Sequence, residues 1–238
     1  DQDMNIRDPK HTTTSSVTSF DPNEIIGPVG QGAEQYVLKQ ERQQFTITFE
    51  NKESALAAAQ IVSISDTLDA LKFDLSTFEF TDFTIGNKTY TVPKGRQEFV
   101  LQDSLSAQIK VIINGKLEVN SGIATWQYTA IDAATGDIPV LDGFLPPNKS
   151  KPEGEGSVSF TIMPKQNIVD GAVIQNRASI VFDQNEPILT NTWQNIVDAL
   201  PPSSNVSATR VTGSPEIHLS FSGSDASSGI EHYSIYMQ

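Results

Sequence analysis

Residues 107–132, AQIKVIINGKLEVNSGIATWQYTAID, decide how the rest of the chain is read. Ala107 to Ile113 is a β-branched run, Asn114-Gly115 is a two-residue hairpin signal, and Lys116 to Val119 is the expected return. Gly122 to Asp132 then forms a further strand. Ile123, Thr125 and Gln127 fall on one face of it, and Ala124, Trp126 and Tyr128 on the other. Trp126 is expected in a core between two sheets, because a large ring in an alternating strand buries more area than any neighbour.

Working outward, the same alternation recurs. Phe45, Ile47 and Phe49 share a face of Gln44–Glu50, and Gln60–Asp66 is a clear strand. Glu53 to Ala59 has helix propensity but is too short for more than one turn between two strands. Phe78–Thr81, Phe83–Ile85, the Gly86-Asn87 turn, Thr89–Val92 and Gln97–Leu101 follow at regular spacing. Ser157–Ile162 and Ser179–Phe182 complete the set, separated by a turn at Gly171. About ten short strands with no sustained helical period predict an all-β, antiparallel β-sandwich of Ig-like type.

Residues 1–20 read as a linker or the end of a preceding domain, and residues 21–198 as the sandwich. Residues 199–204, with Pro201-Pro202, read as a second linker held extended. Residues 205–238 carry three strand-like runs, Asn205–Ala208, Ile217–Phe221 and Tyr233–Tyr236. Three strands cannot bury two faces, so they are read as an incomplete second β domain.

The 238 residues carry a formal charge of -13 and no cysteine. That charge repels nucleic acid and anionic lipid and draws cations. The missing thiol removes disulfides, cysteine-ligated metals and thiol catalysis. No apolar run reaches the ~20 residues of a membrane span, so no membrane insertion is expected. No signal peptide opens the chain, which reads as mature protein or a piece of a longer one.

Two strings echo each other: Phe20-Asp21-Pro22-Asn23-Glu24 and Phe182-Asp183-Gln184-Asn185-Glu186. They bracket the β-rich segment and place oxygen side chains at alternate positions, a pattern that suits calcium. Asp21, Asn23, Asp183 and Asn185 are the candidate ligands, with Glu50 beside them. A cation shared by Asp21 and Asp183 would staple the entry and exit strands. The competing reading is turn capping, in which Asp and Asn bond their own backbone two residues on. A second acidic group, Asp132, Asp137, Asp142, Glu153 and Glu155, lies in a Gly- and Pro-rich loop and reads first as solvated.

His11, His218 and His232 all fall outside the main module, which leaves it no histidine base for a serine nucleophile. No catalytic residue is assigned. Trp193, in a polar context, is the candidate for an exposed platform or an inter-domain contact.

The strings Ser19–Asn23, Phe45–Asn51, Asp66–Asp69, Ile131–Asp137, Gly143–Asn148, Gly154–Gly156 and Asn176–Asp183 together resemble a repeated β-sandwich module of large bacterial secreted and surface proteins. Pro201–Tyr236, with Ser222–Asp225 and Ser228–Ile230, is similar to the opening of fibronectin type III-like or bacterial Ig-like domains. The resemblance implies architecture and an extracellular or cell-surface place, with neighbouring domains of the same chain as partners, but no reaction or ligand. The module-and-linker layout, the acidic cysteine-free composition and the missing catalytic constellation point to a non-catalytic, calcium-stabilised spacer or adhesive unit, with a glycan or cell-surface protein as the expected ligand. The alternative is a carbohydrate-binding accessory module of a secreted hydrolase, using Trp193 or Tyr128.

Overall fold

The computed structural model describes residues 22–213, 215–230 and 232–234. Among the described residues sixteen strands are formed. They are β1 (Glu24–Ile26), β2 (Tyr36–Leu38), β3 (Gln43–Glu50), β4 (Ile61–Thr67), β5 (Phe73–Ile85), β6 (Lys88–Thr91), β7 (Glu98–Ser104) and β8 (Ile109–Glu118). Then come β9 (Ile123–Asp132), β10 (Glu155–Pro164), β11 (Val173–Asn176), β12 (Ala178–Phe182), β13 (Ile188–Leu189), β14 (Trp193–Asp198), β15 (Ser203–Arg210) and β16 (Ile217–Ser224).

A five-stranded sheet in the order β1-β3-β10-β5-β6 faces a six-stranded sheet in the order β13-β12-β4-β9-β8-β7. Trp126 of β9 reaches across the gap to Phe80 and Phe160, with ring centres 5.2 and 5.8 Å away. Tyr128 meets Phe49 at 5.5 Å and Phe83 at 6.1 Å. All of these rings are buried, and the alternation read along Ile123–Asp132 holds, with Ala124, Trp126 and Tyr128 inward. The chain is an all-β sandwich. A small third sheet, β11-β14-β2, lies beside the two main ones, with β14 antiparallel to β11 and parallel to β2.

Two local readings are corrected. Asn114-Gly115 is not a turn: β8 runs through it unbroken, and the reversal comes at Val119–Gly122, where Gly122 takes a positive φ of 71°. Gly115 is instead a clearance residue. A Cβ there would stand 2.1 Å from the ring of Phe99, which stacks on Phe83 at 5.5 Å. The ring needs the space that glycine leaves. Phe78–Thr81 and Phe83–Ile85 are likewise one strand, not two. Leu75 and Phe78, and Phe80 and Phe83, are each three residues apart, which strict alternation would put on opposite faces. Register shifts against β10 at Val158/Phe160 and Thr161/Met163 turn all four inward.

The direction of β3 orients the module. β1 pairs with its end (Glu24↔Thr48), so the chain enters beside Glu50. β14 pairs with β2 (Asp198↔Leu38), and Leu38 lies at the start of β3, where its carbonyl accepts from Gln43 Nε2 at 3.2 Å. The chain thus leaves the sandwich at the end opposite its entry.

Beyond Asp198, β15 already begins at Ser203, so part of the expected linker is strand. One face of the β15–β16 hairpin carries Val206 opposite Phe221 and Ala208 opposite Leu219, and these side chains are exposed. Tyr233 packs on Phe221 at 4.9 Å, and neither it nor Ser234 is in a strand. Ser227 and Ser228 donate their hydroxyls to Asp170 (2.7 Å) and Asp198 (2.5 Å), seating the segment after the hairpin on the exit end of the sandwich.

Gly115→Ala should cost roughly 1–3 kcal/mol of stability through overpacking against Phe99, read from urea unfolding midpoints. Asn114→Ala should change stability far less than the loss of a hairpin turn would.

Candidate functional site

Phe20 and Asp21 lie outside the described residues, as do the rest of the stretch 1–20 read as a linker or domain end and the run Ile235–Tyr236. The other members of the two echoing strings come to the same end of the sandwich, on opposite sheets. Phe49 and Phe182 touch across the core at 6.3 Å, so Glu50 and Asp183, the residues after them, are carried by different sheets.

Asp183 has φ 53°, and its Oδ1 accepts from the backbone N–H of Gln60 (2.9 Å) and Ile61 (2.8 Å). It closes the open end of β4 against β12. The Asn185 N–H completes a turn to the Phe182 carbonyl at 2.9 Å. Both positions have the geometry of turn chemistry. On the other sheet, the Oδ1 of buried Asn23 accepts from the Glu50 N–H at 3.3 Å, so Asn23 and Glu50 do meet.

Glu50 also meets a member of the second acidic group. Glu155 is its direct cross-strand partner in the β3–β10 pairing. Buried Asn148 donates through Nδ2 to both, at 2.5 Å to Glu50 Oε1 and 2.8 Å to Glu155 Oε1, and its Oδ1 accepts from the Gly154 N–H. Lys151 Nζ stands 3.7 Å from Glu155. Glu50, Glu155 and Lys151 line an open cleft of about 380 Å³, shared with Pro22, Glu24 and Pro152. Among the described residues, no three His, Asp or Glu side chains converge in the manner of a metal centre.

The rest of the second acidic group stays apart. Asp132 Oδ1 accepts from the N–H groups of Ala134 (2.8 Å) and Thr135 (2.9 Å), and Gly136 at φ 81° closes the turn. The Thr135 and Ala134 N–H groups hold the Asp132 carboxyl below the usual range. Asp137, Asp142 and Glu153 are exposed.

Trp193 is half-buried and faces the entry segment. Its Nε1 donates to Asn195 Oδ1 (2.9 Å) and to the Pro28 carbonyl (3.2 Å). Its ring sits so close to Gly27 that a Cβ there would be 2.4 Å away. Beside it, Asn195 Nδ2 donates to the carbonyls of Pro28 and Gln35, both at 2.9 Å. Asn191 makes a two-point contact with Ile25, its Oδ1 accepting from the N–H at 2.8 Å and its Nδ2 donating to the carbonyl at 3.0 Å. Side-chain amides thus stand in for missing strand partners of the entry segment. Neither Asn191 nor Asn195 stands out in the sequence. The only signal was Asn at positions framed by an otherwise strand-like run.

A carboxyl group lies in the core. Asp66 occupies the inward face of β4 between Ala124 and Ala178, fully buried. Its Oδ2 accepts from Asn176 Nδ2 at 2.8 Å, and its Oδ1 has no partner among the described residues. Burial raises its pKa to about 7, opposed by the Asn176 hydrogen bond.

A family model described as a domain of unknown function (DUF7619) matches residues 116–196, from late β8 into β14. No curated protein matches the sequence. Among solved structures, domains D2 and D3 of the major pilin SpaD from Corynebacterium diphtheriae align over 81% of this chain and 57% of that one, at 11% identity and a TM-score of 0.40. The C-terminal domain of the Streptococcus agalactiae AgI/II polypeptide BspA aligns over 74% and 47%, at 11% identity and a TM-score of 0.41. A collagen-binding domain from a Staphylococcus aureus adhesin aligns over 76% and 99%, at 11% identity and a TM-score of 0.36. The chain spans about half the length of the pilin and BspA structures. At these scores the matches are similarities of architecture. No helix among the described residues is long and apolar enough to cross a membrane.

Asn191→Ala strands the Ile25 N–H and carbonyl and should cost about 1–3 kcal/mol, with faster hydrogen exchange at the Ile25 amide. For Asp66, the folded pKa lies above the ordinary 3.8. Its contribution to stability is therefore complete below pH ~4 and is lost as pH rises to ~7, on the order of a few kcal/mol. Urea unfolding at pH 4.5 and pH 8 should show the wild type losing stability relative to Asp66→Asn. Parallel pH profiles for the two proteins would contradict this account.

Proposed function

We propose that this chain is a non-catalytic structural or adhesive module of a longer extracellular protein, a unit that spaces and presents its neighbours. The observation that carries this reading is the path of the backbone, which enters beside Glu50 and leaves beside Gln43, at opposite ends of β3. Units built this way join end to end without doubling back. The seating of Ser227 and Ser228 on Asp170 and Asp198 fits the same plan, since it ties the following segment to the exit end. The exposed apolar face of β15–β16 supports reading that hairpin as part of a second β domain.

The acidic cleft favours binding over reaction. Glu50 and Glu155 are both pinned by Asn148, Phe49 turns its ring into the core, and the lining has no aromatic side chain facing outward on which a sugar could stack. Calcium belongs to the same proposal, with the Glu50 and Glu155 carboxylates, brought together by Asn148, as the oxygens it would meet. The chemistry is that of hard oxygen donors for a hard cation.

Three measurements test the reading. Incubation with a panel of glycosides, esters and peptides should show no turnover. Turnover abolished by Glu50→Gln would replace this reading with a hydrolase. In thermal melts, calcium should raise the midpoint and chelator lower it, with ~2.7 kcal/mol of stabilisation at a hundredfold excess over Kd. Glu50→Gln should remove most of that response, and Asp142→Ala should leave it intact. Melts indifferent to calcium would refute the metal part alone. On a glycan array, binding lost in Trp193→Ala would favour the carbohydrate-binding alternative.

A further inference from the structure

The entry and exit segments run side by side in the same direction. Ile25 lies against Asn191, Pro28 and Gln35 against Asn195, and Tyr36–Leu38 pairs in parallel with Ile196–Asp198. Tension on the two ends of the module would pull β1 toward the Glu50 end and β14 toward the Gln43 end. The two segments would then slide past each other along their length. In that geometry the cross-links share the load together. In a hairpin pulled open from its ends, each pair would carry the load in turn.

We propose that this seam is a shear clamp, and that the module bears mechanical load along the chain. Five side-chain hydrogen bonds cross it, two from Asn191, one from Trp193 and two from Asn195. The parallel β2–β14 pairing lies in line with them, continued by the Lys39 N–H to the Asp198 carbonyl at 3.0 Å. Ile25, Val37, Asn195, Val197 and Asp198 are buried along the seam, and its five side-chain bonds are partly buried, with Asn191 at its exposed edge. Bonds loaded together must break together, and so resist more force than the same bonds loaded one after another. On its other side β14 is anchored by antiparallel β11, so the clamp pulls against the body of the fold.

This inference extends the spacer reading and rests on it for its biological sense, but its test is independent of that reading. The experiment stretches the full 238-residue chain between handles at its two ends, in an optical trap or by force microscopy. With no cysteine in the sequence, terminal cysteines give unique attachment. Opening of the sandwich is identified by a contour gain of roughly 60 nm, from ~3.3–3.6 Å per extended residue. Asn191→Ala and the double variant with Asn195→Ala, which removes four of the five bonds, should lower the unfolding force stepwise at unchanged contour gain. Gly115→Ala, destabilised in solution but away from the seam, should keep the wild-type force. Seam variants that unfold at the wild-type force would overturn the clamp. So would a Gly115→Ala force that falls in proportion to its lost stability. Loss of the 60 nm step in the double variant would mean that it has not folded, and Asn191→Ala alone then decides. A negative result leaves the non-catalytic reading standing, and measured turnover leaves the clamp standing.

Discussion

The two main sheets are held at their spacing by a small set of rings that meet across the core, and everything else in the module is built around that contact. Trp126 touches Phe80 and Phe160, Phe160 stacks on Phe45 and Phe78, and Tyr128 closes the Glu50 end against Phe49 and Phe144. Side chains this large tolerate few backbone placements, because cores are packed near crystal density. The two bulges of β5 and the glycine at 115 are consequences. Each shifts backbone or removes a Cβ so that a ring can take its place in the layer.

Around that core, carboxamides and carboxylates divide the work. Asn51, Asn148, Asn191 and Asn195 hold irregular backbone, where no strand supplies partners. Asn51 Nδ2, for one, reaches the carbonyls of Ala57 and Leu145. A neutral amide offers both a donor and an acceptor and loses less than an ion when it leaves water. The carboxylates stay at turns and rims, where N–H groups and hydroxyls meet them. Asp66 breaks this pattern. It is a fully buried acidic group on the inward face of β4, and its neighbours Ala124 and Ala178 are small. That combination makes it sensitive to pH and leaves the fold without a cation to offset it.

Much of the architecture was legible along the chain. Alternation in Phe45–Phe49 and Ile123–Asp132, the Gly86-Asn87 turn and the absence of helical period were enough to indicate a sandwich and to put Trp126 in its core. Asn114-Gly115 misled because its chemistry equally suits a turn or a clearance position, and only Phe99, from a neighbouring strand, distinguishes them. Trp193 read as a platform because its sequence neighbours are polar. Three of them, Asn191, Gln194 and Asn195, spend that polarity on backbone or on other amides.

The sequence by itself determined the class of fold, the net negative charge and the lack of thiol chemistry, since these depend on composition and on spacings of a few residues. Tertiary structure alone decided that Glu50 meets Glu155 and not Asp183, that Asp66 faces the core, and that the entry segment lies parallel to the exit strand. The reason is physical. Local pattern fixes which way a side chain points from its own strand, whereas sheet order and register, set by the packing of the whole core, choose which distant residue it faces.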